Sequence, residues 1–429
     1  MSLETNILNI PEPKAKRIVI VGGGFGGLKL ALKMAKRDFQ VVLIDRNNYH
    51  LFQPLLYQVA MSGLEPSAIS FPLRKVLQNT NIHFRMAELE SVQPESKEIS
   101  TDIGRLKYDF LVLATGARTN FFGNEAIEKN SMQMKSAPDA LFIRNRILKN
   151  FEKALNKDKK EDIQTYLNVA IIGGGPTGVE LAGAVAEMKK YVLPKDYPEL
   201  DISNMHIMLF EASPRLLAGM SVDSSHTAKE YLEKLGVEVR TGTAVINYDD
   251  RVLTLPNNET INVKNVIWAA GVTSNRIEGI SDNSYGRNNR LLVNRFNQVE
   301  GYPAIFALGD NSFMTEEAFP NGHPQVAQVA MQQASLLSVN ILNIRRNKPL
   351  KPFHYHDKGS LATVGRHLAV ADLPFGKFKG YFAWILWSIV HLLSIIGVKN
   401  KIFVLVDWIW KYITYDQALR LLIKHKAKY

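Results

Sequence analysis

Residues 18–27 constrain the fold most, because four β-branched residues run directly into a glycine-rich turn. The segment reads Ile-Val-Ile-Val-Gly-Gly-Gly-Phe-Gly-Gly, which predicts a buried parallel strand, a tight turn and a helix from Leu28. Gly22, Gly24 and Gly27 have the GxGxxG spacing. The first glycine of such a turn makes the bend, the second lets the backbone approach a pyrophosphate, and the third lets helix and strand pack closely.

The next strand favours dinucleotide binding at this turn. Residues 40–44 are again apolar and lead into Asp45, the spacing at which an acidic residue binds a ribose hydroxyl. A purely structural turn between strand and helix is the alternative reading.

The same pattern occurs a second time. The second copy comprises an apolar strand at 169–172, the glycines Gly173, Gly175 and Gly178, and an acid, Glu211, at the end of the following strand. The interval before Glu211 is longer than usual, and we assign the extra length to a polar, proline-bearing stretch at 187–201. An acid at 211 should repel a 2′-phosphate and favour NADH over NADPH. Two fingerprints predict two nucleotides, a flavin held permanently and a nicotinamide that comes and goes.

The composition excludes several kinds of redox chemistry. The 429 residues contain no cysteine, which rules out disulfides, iron–sulfur clusters, cysteine-ligated zinc and a dithiol relay beside a flavin. The length suits two or three domains. The net charge of +11 is concentrated toward the C-terminus, since residues 372–429 hold nine Lys or Arg against three Asp. Such charge suits nucleic acid, an anionic membrane or acidic substrates.

The C-terminal region contains two apolar, aromatic segments with basic flanks, 381–398 and 402–413. The first would form about 27 Å of helix, barely a membrane span, and a polar strip recurs along it at Ser388, His391 and Ser394. We favour two helices lying in the membrane interface, with indoles at headgroup level and lysines near anionic phosphates. A single span, and a dimer interface or core helix pair, are the alternatives.

Two polar pairs are candidates for chemistry. Gln328 and Gln332 lie at i and i+4 on one face of a predicted helix. Amides are costly to bury without partners, so the pair either is satisfied by the backbone or has a functional role. His354 and His356 share one strand face, but no third ligand accompanies them, so no metal site is predicted.

The order of the motifs resembles the two-dinucleotide-binding-domain flavoproteins, in which an NADH domain is inserted into an FAD domain. The motifs are the two GxGxxG turns, Ala-Thr-Gly at 114–116, Ala-Ala-Gly-Val at 269–272 and Phe-Ala-Leu-Gly-Asp at 306–310. Within that superfamily the chain resembles the bacterial type II (alternative) NADH:quinone oxidoreductases. This closer resemblance depends on Gly-Val-Glu-Leu-Ala-Gly at 178–183, Ala-Gln-Val-Ala-Met-Gln-Gln at 327–333, and Ala-Trp-Ile-Leu-Trp at 383–387 with His391.

The resemblance implies an α/β fold of two Rossmann-like dinucleotide-binding domains, followed by C-terminal amphipathic membrane-binding helices. We place the FAD-binding domain at 15–121 and 287–345, with the NADH-binding domain inserted at 122–286. Residues 346–429 then form a membrane-associated, quinone-access region.

The resemblance also implies the site residues. The catalytic candidates are Glu180, Gln328 and Gln332, and the two glutamines are expected to contact a quinone carbonyl. The cofactor-binding candidates of the first half and its return are Gly22, Gly24, Phe25, Gly26, Gly27, Asp45, Arg46, Leu89, Ala114, Thr115, Gly116, Gly309, Asp310, Ala327 and Gln328. Those of the second half are Gly173, Gly175, Thr177, Gly178, Glu180, Glu211, Ala270 and Gly271. Glu180 is expected between the nicotinamide and quinone regions, although an acid there also complements a helix dipole.

The implied reaction passes a hydride from NADH to non-covalently bound FAD and then two electrons to a membrane quinone, without proton pumping. The implied location is the cytoplasmic side of the cell membrane, as a peripheral (monotopic) protein on the lipid surface. A homodimer is left open, and nucleic acid is not expected because no recognised module accompanies the charge. Two rivals remain, a reductase of a soluble iron–sulfur protein and an FAD- and NADH-binding signalling protein.

Overall fold

The structure is a computed structural model, and it describes residues 8–414 and 419–422. The end of the predicted region 346–429 therefore lies partly outside the described residues.

The helices are α1 (Phe25–Met34), α2 (Leu56–Ala60), α3 (Pro66–Ile69), α4 (Leu73–Val76), α5 (Glu125–Asn130), α6 (Ala137–Ala154), α7 (Lys160–Leu167), α8 (Pro176–Tyr191), α9 (Leu193–Asp196), α10 (Val222–Lys234), α11 (Ala327–Arg345), α12 (Gly380–Ser394) and α13 (Val398–Thr414).

The strands are β1 (Arg17–Val21), β2 (Gln40–Asp45), β3 (Tyr49–Leu51), β4 (Ser70–Pro72), β5 (Ile82–Met86), β6 (Leu89–Gln93), β7 (Glu98–Thr101), β8 (Gly104–Lys107), β9 (Phe110–Leu113), β10 (Arg118–Thr119), β11 (Met132–Gln133), β12 (Val169–Ile172), β13 (Ile207–Glu211), β14 (Val237–Thr241), β15 (Asn247–Tyr248), β16 (Val252–Thr254), β17 (Thr260–Asn262), β18 (Asn265–Trp268), β19 (Val272–Thr273), β20 (Leu291–Leu292), β21 (Gln298–Val299), β22 (Tyr302–Ala307), β23 (Ser312–Phe313), β24 (Ser360–Gly365), β25 (Leu368–Leu373) and β26 (Gly376–Lys379).

The chain divides into two compact units. Unit 1 comprises residues 1–51, 70–118 and 272–357, and unit 2 comprises 52–69, 119–271 and 358–429. The sequence placed the limits at 121, 286 and 345. The segment 52–69 belongs to unit 2 because its helix α2 packs against α6 and α8 of that unit.

Unit 1 is built on a six-stranded sheet with the order β21-β22-β9-β1-β2-β5. Its strands are parallel except for the antiparallel pair β21–β22. Every residue of β1 is buried, which explains its unbroken run of apolar side chains. Helix α1 follows β1 and packs along α11. The predicted helix start at Leu28 is wrong by one turn, since the Leu28 N–H already bonds to the Gly24 carbonyl at 3.1 Å.

Unit 2 repeats this architecture with five parallel strands in the order β11-β18-β12-β13-β14. An antiparallel sheet, β24-β25-β26, lies on α8 through β24 and supports α12 through β25. The polar stretch at 187–201 begins inside α8, which contains Glu187, and continues through α9. The apolar positions of α8 bury one face, so the helix continues for four turns.

Candidate functional site

The two glycine-rich turns have the same close contacts. A Cβ atom at Gly27 would lie 1.9 Å from the Gly22 carbonyl oxygen, and one at Gly178 would lie 1.8 Å from the Gly173 oxygen. The third glycine of each copy is therefore required for helix and strand to approach. Around Gly24 and Gly175, by contrast, a Cβ atom would meet nothing within 4 Å. This open space at a helix N-terminus, where backbone N–H groups are unsatisfied, suits a phosphate.

The two predicted ribose-binding acids also hold equivalent positions. Asp45 accepts a hydrogen bond from the Gly23 N–H (2.6 Å), and Glu211 accepts one from the Gly174 N–H (2.5 Å). The second carboxylate oxygen of Glu211 binds the Ser213 backbone N–H at 2.6 Å. Each acid thus orients the middle of its own glycine turn, as the internal repeat predicts.

The other predicted cofactor-binding residues lie at ends of secondary-structure elements. In unit 1, Phe25 begins α1, Arg46 follows β2, Leu89 begins β6, Ala114 to Gly116 follow β9, and Gly309 and Asp310 follow β22. In unit 2, Thr177 lies in the first turn of α8, and Ala270 and Gly271 follow β18. Loops at the carboxyl ends of parallel strands are where open α/β sheets bind ligands.

The loop containing Asp310 is fixed by buried amides. The Gly309 N–H donates to Gln333 Oε1 at 2.7 Å, and the Asp310 carbonyl accepts from Gln325 Nε2 at 2.8 Å. Gln333 is buried, whereas sequence reasoning singled out its neighbour Gln332. Gln333 could have been recognised only from the packing of α11, because its side chain alone does not distinguish it from the adjacent glutamines.

The two glutamines of the predicted pair, Gln328 and Gln332, make different contacts. Both atoms of the Gln332 amide bond to the backbone of His356, the Nε2 donor at 2.9 Å and the Oε1 acceptor at 3.0 Å. Gln332 therefore holds the extended segment before residue 357, and its amide is satisfied by the backbone. Gln328 Nε2 lies 3.5 Å from Asp357 Oδ1, a weaker contact.

A cavity lies within unit 2. One stripe of α8 lines it, formed by Glu180, Ala184, Glu187 and Tyr191, at the i, i+4, i+7, i+11 spacing of a single helix face. The opposite walls come from four places: Tyr57 and Gln58 on α2, Thr363 and Gly365 on β24, Trp384, Trp387 and Ser388 on α12, and Trp408, Lys411 and Tyr412 on α13. The cavity is thus mainly aromatic, with a few polar groups, as small-molecule sites commonly are.

Glu180 is the buried acid of this cavity. Burial raises its pKa to about 8, and the backbone of Thr363 and the indole of Trp387 offset part of that effect. Among the described residues, Trp387 Nε1 makes no hydrogen bond of ordinary geometry, so it acts on Glu180 as a nearby dipole. At neutral pH the carboxyl group is protonated and can donate a proton into the cavity.

Sequence reasoning missed most of the cavity wall. Glu187 was assigned to a polar stretch. The spacing of Glu187 from Glu180, two helical turns, was the available signal. The expectation that the indoles lie at headgroup level is wrong for Trp387, which is buried, and for Trp408, whose Nε1–H donates to Gln58 at 2.9 Å.

The polar strip on α12 is satisfied within the helix. Ser388 Oγ, His391 Nδ1 and Ser394 Oγ each donate to the carbonyl four residues earlier, at 2.9, 2.7 and 2.6 Å. Burial lowers the pKa of His391 to about 4, so its ring is neutral. Its ring stacks on Trp387 with 4.2 Å between centroids. The strip therefore needs no external partner.

Apolar side chains line the outside of α12 and α13. The exposed ones include Phe382, Ile389 and Leu393 on α12 and Ile402, Val406, Ile409 and Ile413 on α13. Both sets have helical spacing, so each forms one stripe. In the part of the chain that the structure describes, no helix is both long and apolar enough to traverse a bilayer.

No group of three metal-ligating side chains is found among residues 8–414 and 419–422. His354 is instead close to Glu316, with Nδ1 at 3.7 Å from Oε2, and to Arg295, with Nδ1 at 3.0 Å from Nη2.

Comparison with known proteins identifies the family. Residues 16–334 match the pyridine nucleotide-disulphide oxidoreductase family, and residues 357–414 match the NDH2 C-terminal domain. A type II NADH:quinone oxidoreductase from Mycobacterium tuberculosis is 34% identical, over 92% of this chain and 88% of that protein. The chain belongs to the type II NADH:quinone oxidoreductases.

Other members of this type II family match over nearly the whole chain. The type II NADH:quinone oxidoreductase of Haemophilus influenzae is 29% identical, covering 93% of this chain and 98% of its own length. Among solved structures, NDH2 from Plasmodium falciparum in complex with NADH has a TM-score of 0.87 at 25% identity, covering 96% of this chain and all of that one. The predicted fold, with two nucleotide-binding halves and a C-terminal NDH2 region, is confirmed.

Proposed function

We propose that this type II enzyme oxidises NADH and reduces a membrane quinone through one bound FAD, without pumping protons. The observation that carries the proposal is the buried, protonated Glu180 in an aromatic cavity whose far walls are α12 and α13. Because the chain has no cysteine, electrons leave a bound flavin directly and not through a dithiol.

The first glycine turn fits the FAD pyrophosphate. Gly24 and Gly116 both leave open space where a Cβ atom would stand, and the first turn of α1 contains no acidic residue. Asp45 is positioned to accept from a ribose hydroxyl, and Asp310 is assigned to the ribityl chain. When bound, FAD accepts the hydride of NADH and returns two electrons to the acceptor.

The second glycine turn fits NADH. Glu211 is placed to bind the adenosine ribose, and its negative charge repels the 2′-phosphate of NADPH. Arg215 does not offset this charge toward a phosphate, because its guanidinium donates to the carbonyls of Met220 and Ala218 at 2.7 and 2.6 Å. The turn therefore selects NADH.

Glu180 donates a proton to the quinone oxygen in this proposal. A protonated acid in an apolar cavity transfers a proton efficiently when its pKa lies near the working pH. Gln328 is kept as a contact of the quinone carbonyl, whereas Gln332 positions the segment at His356.

The proposed site of action is the lipid surface on the cytoplasmic side, where NADH is available. The apolar stripes of α12 and α13 enter the interface, and Lys399 and Lys401 between them contact anionic headgroups. Trp410, which is 60% exposed, is the indole that suits headgroup depth.

The test compares acceptors anaerobically. The isolated protein should be yellow, bleach on addition of NADH, and turn over rapidly with a short-chain ubiquinone but slowly with a ferredoxin. A colourless protein, or faster reduction of ferredoxin, contradicts the proposal. Flotation with vesicles of anionic phospholipid tests attachment, with Ile409→Lys expected to weaken it and the exposed Glu125→Gln as control.

A further inference from the structure

Glu187 is a second acid in the cavity that holds Glu180, and it is half-buried. The two carboxyl groups lie on one face of α8, seven residues apart, which is about 10 Å along the helix axis. Glu180 lies near the helix N-terminus, and Glu187 lies two turns further on, toward Tyr191. Burial raises the pKa of Glu187 as well.

The surroundings of Glu187 differ from those of Glu180. Glu187 Oε1 accepts a hydrogen bond from the Arg366 backbone N–H. The Arg366 guanidinium donates to the carbonyls of Lys411 and Tyr412, and Lys411 is also paired with Asp407. The end of the cavity at Glu187 is thus polar and cationic, whereas the Glu180 end is bounded by Thr363 and Trp387.

Tyr57 connects the two acids electrostatically. Its buried hydroxyl accepts a hydrogen bond from Gln58 Nε2 at 3.0 Å, and Gln58 is itself held by Trp408. Burial is the main reason why the pKa of Tyr57 is raised, and the charges of Glu180 and Glu187 raise it further. Tyr57 lines the same cavity as Glu180 and Glu187, and a phenol that shares a cavity with two carboxyl groups can pass a proton between them.

We propose that Glu187 is a relay residue that resupplies Glu180 with protons through Tyr57 during quinone reduction. The inference rests on the proposed function. NADH supplies two electrons and one proton as hydride, so reduction of a quinone to a quinol consumes one further proton from water. That proton forms the quinol O–H bond as the Glu180 O–H bond breaks. Tyr57 then passes its proton to Glu180 as it takes one from Glu187, so that no tyrosinate forms, and water at the Arg366 end reprotonates Glu187.

The variant that tests this relay is Glu187→Gln. Glutamine keeps the volume and the oxygen acceptor for the Arg366 N–H, but it has no acidic proton. We expect turnover with a short-chain ubiquinone to fall by about tenfold at pH 8, at the low end of proton-transfer effects, and to fall less at pH 6. Flavin bleaching by NADH and turnover with ferricyanide, which takes up no proton, should stay unchanged.

Two further measurements separate a relay from a structural role. Glu187→Ala should regain quinone turnover when formate is added, and infrared spectra of Glu187→Gln should lose one protonated-carboxyl band. Glu233→Gln, on the exposed face of α10, is the matched control. Unchanged quinone turnover across pH 6–9 in Glu187→Gln, or an equal loss with ferricyanide and quinone, overturns the relay. Absence of quinone turnover in the parent enzyme instead overturns the proposed function itself.

Discussion

The two glycine turns share a backbone but differ in the helix that follows. The first turn leads into α1, which is 10 residues long and has Lys29 two positions beyond Gly27. The second turn leads into α8, which is 16 residues long, and the position two beyond Gly178 is Glu180, which is buried. One architectural unit thus occurs twice, and only the second copy has an acid lining a cavity.

This difference separates binding from chemistry. Glycines and acids occur at equivalent positions in both copies, and the proposed function assigns them to nucleotide binding. The longer α8, on which Glu180 and Glu187 line a cavity, belongs to one copy, and the proposed function assigns it to proton transfer. Variants in matched positions of the two copies can test that division.

Gly27→Ala should have the largest effect. Its Cβ atom would lie 1.9 Å from the Gly22 carbonyl oxygen, and neither backbone segment can move without disturbing β1. We expect a loss of about 3 kcal/mol in the free energy of unfolding, measured by urea denaturation. Gly24→Ala is the control, since its Cβ atom enters open space. It should remain folded and lose FAD on dialysis. Equal stability of the two variants would show that the close packing of the turn is not required.

Glu180→Gln should have the next largest effect. Removal of a general acid costs about 10²-fold in turnover, so we expect that fall with a short-chain ubiquinone, while bleaching of the flavin by NADH is retained. Because the pKa is about 8, quinone turnover of the parent enzyme should decline above pH 8. Normal quinone reduction by Glu180→Gln would remove this residue from the mechanism.

The same pKa has a consequence for stability. The folded-state pKa of Glu180 is about 8, against an ordinary value of 4.5, so between these pH values the folded protein binds a proton that the unfolded chain does not. Stability from this group is therefore present below pH 4.5 and is lost as pH rises to 8, by about 1.4 kcal/mol per unit at most. In urea denaturation, the free energy of unfolding of Glu180→Gln should increase relative to that of the parent enzyme as the pH rises from 5 to 9.

Local patterns in the sequence predicted the repeated halves, while the cavity depends on contacts between distant segments. The strands β1 and β12, the glycines and the acids Asp45 and Glu211 follow from residue type and short spacing. Tyr57, Thr363 and Trp387 line the same cavity as Glu180, although they come from three segments more than 20 residues apart in the sequence. The periodicity of a sequence predicts local structure and cannot predict such long-range contacts. Gln332 shows the same limit, because only the structure reveals that His356 occupies its amide.

Glu211→Gln sharpens the comparison at the ribose-binding acids. Glutamine keeps the acceptor for the Gly174 N–H but removes the charge that repels a 2′-phosphate. We expect the preference for NADH over NADPH, as a ratio of kcat/KM, to fall by about tenfold, which corresponds to 1.4 kcal/mol. The matched variant Asp45→Asn should weaken FAD retention and leave that ratio unchanged. A shift of the ratio in Asp45→Asn as well would mean that the two copies do not divide the nucleotides as proposed.

Lys29→Gln should have the smallest effect and is the strictest test of the division. Lys29 occupies in α1 the position that Glu180 occupies in α8. It is half-buried, and the proposed function assigns it no role in quinone reduction. Polar substitutions at such positions usually change stability by about 0.5 kcal/mol or less. Quinone turnover should therefore change by less than about twofold, a difference of about 0.4 kcal/mol. A fall comparable to that of Glu180→Gln would show that position two after the glycine matters in both copies, so the chemistry would not be confined to the second.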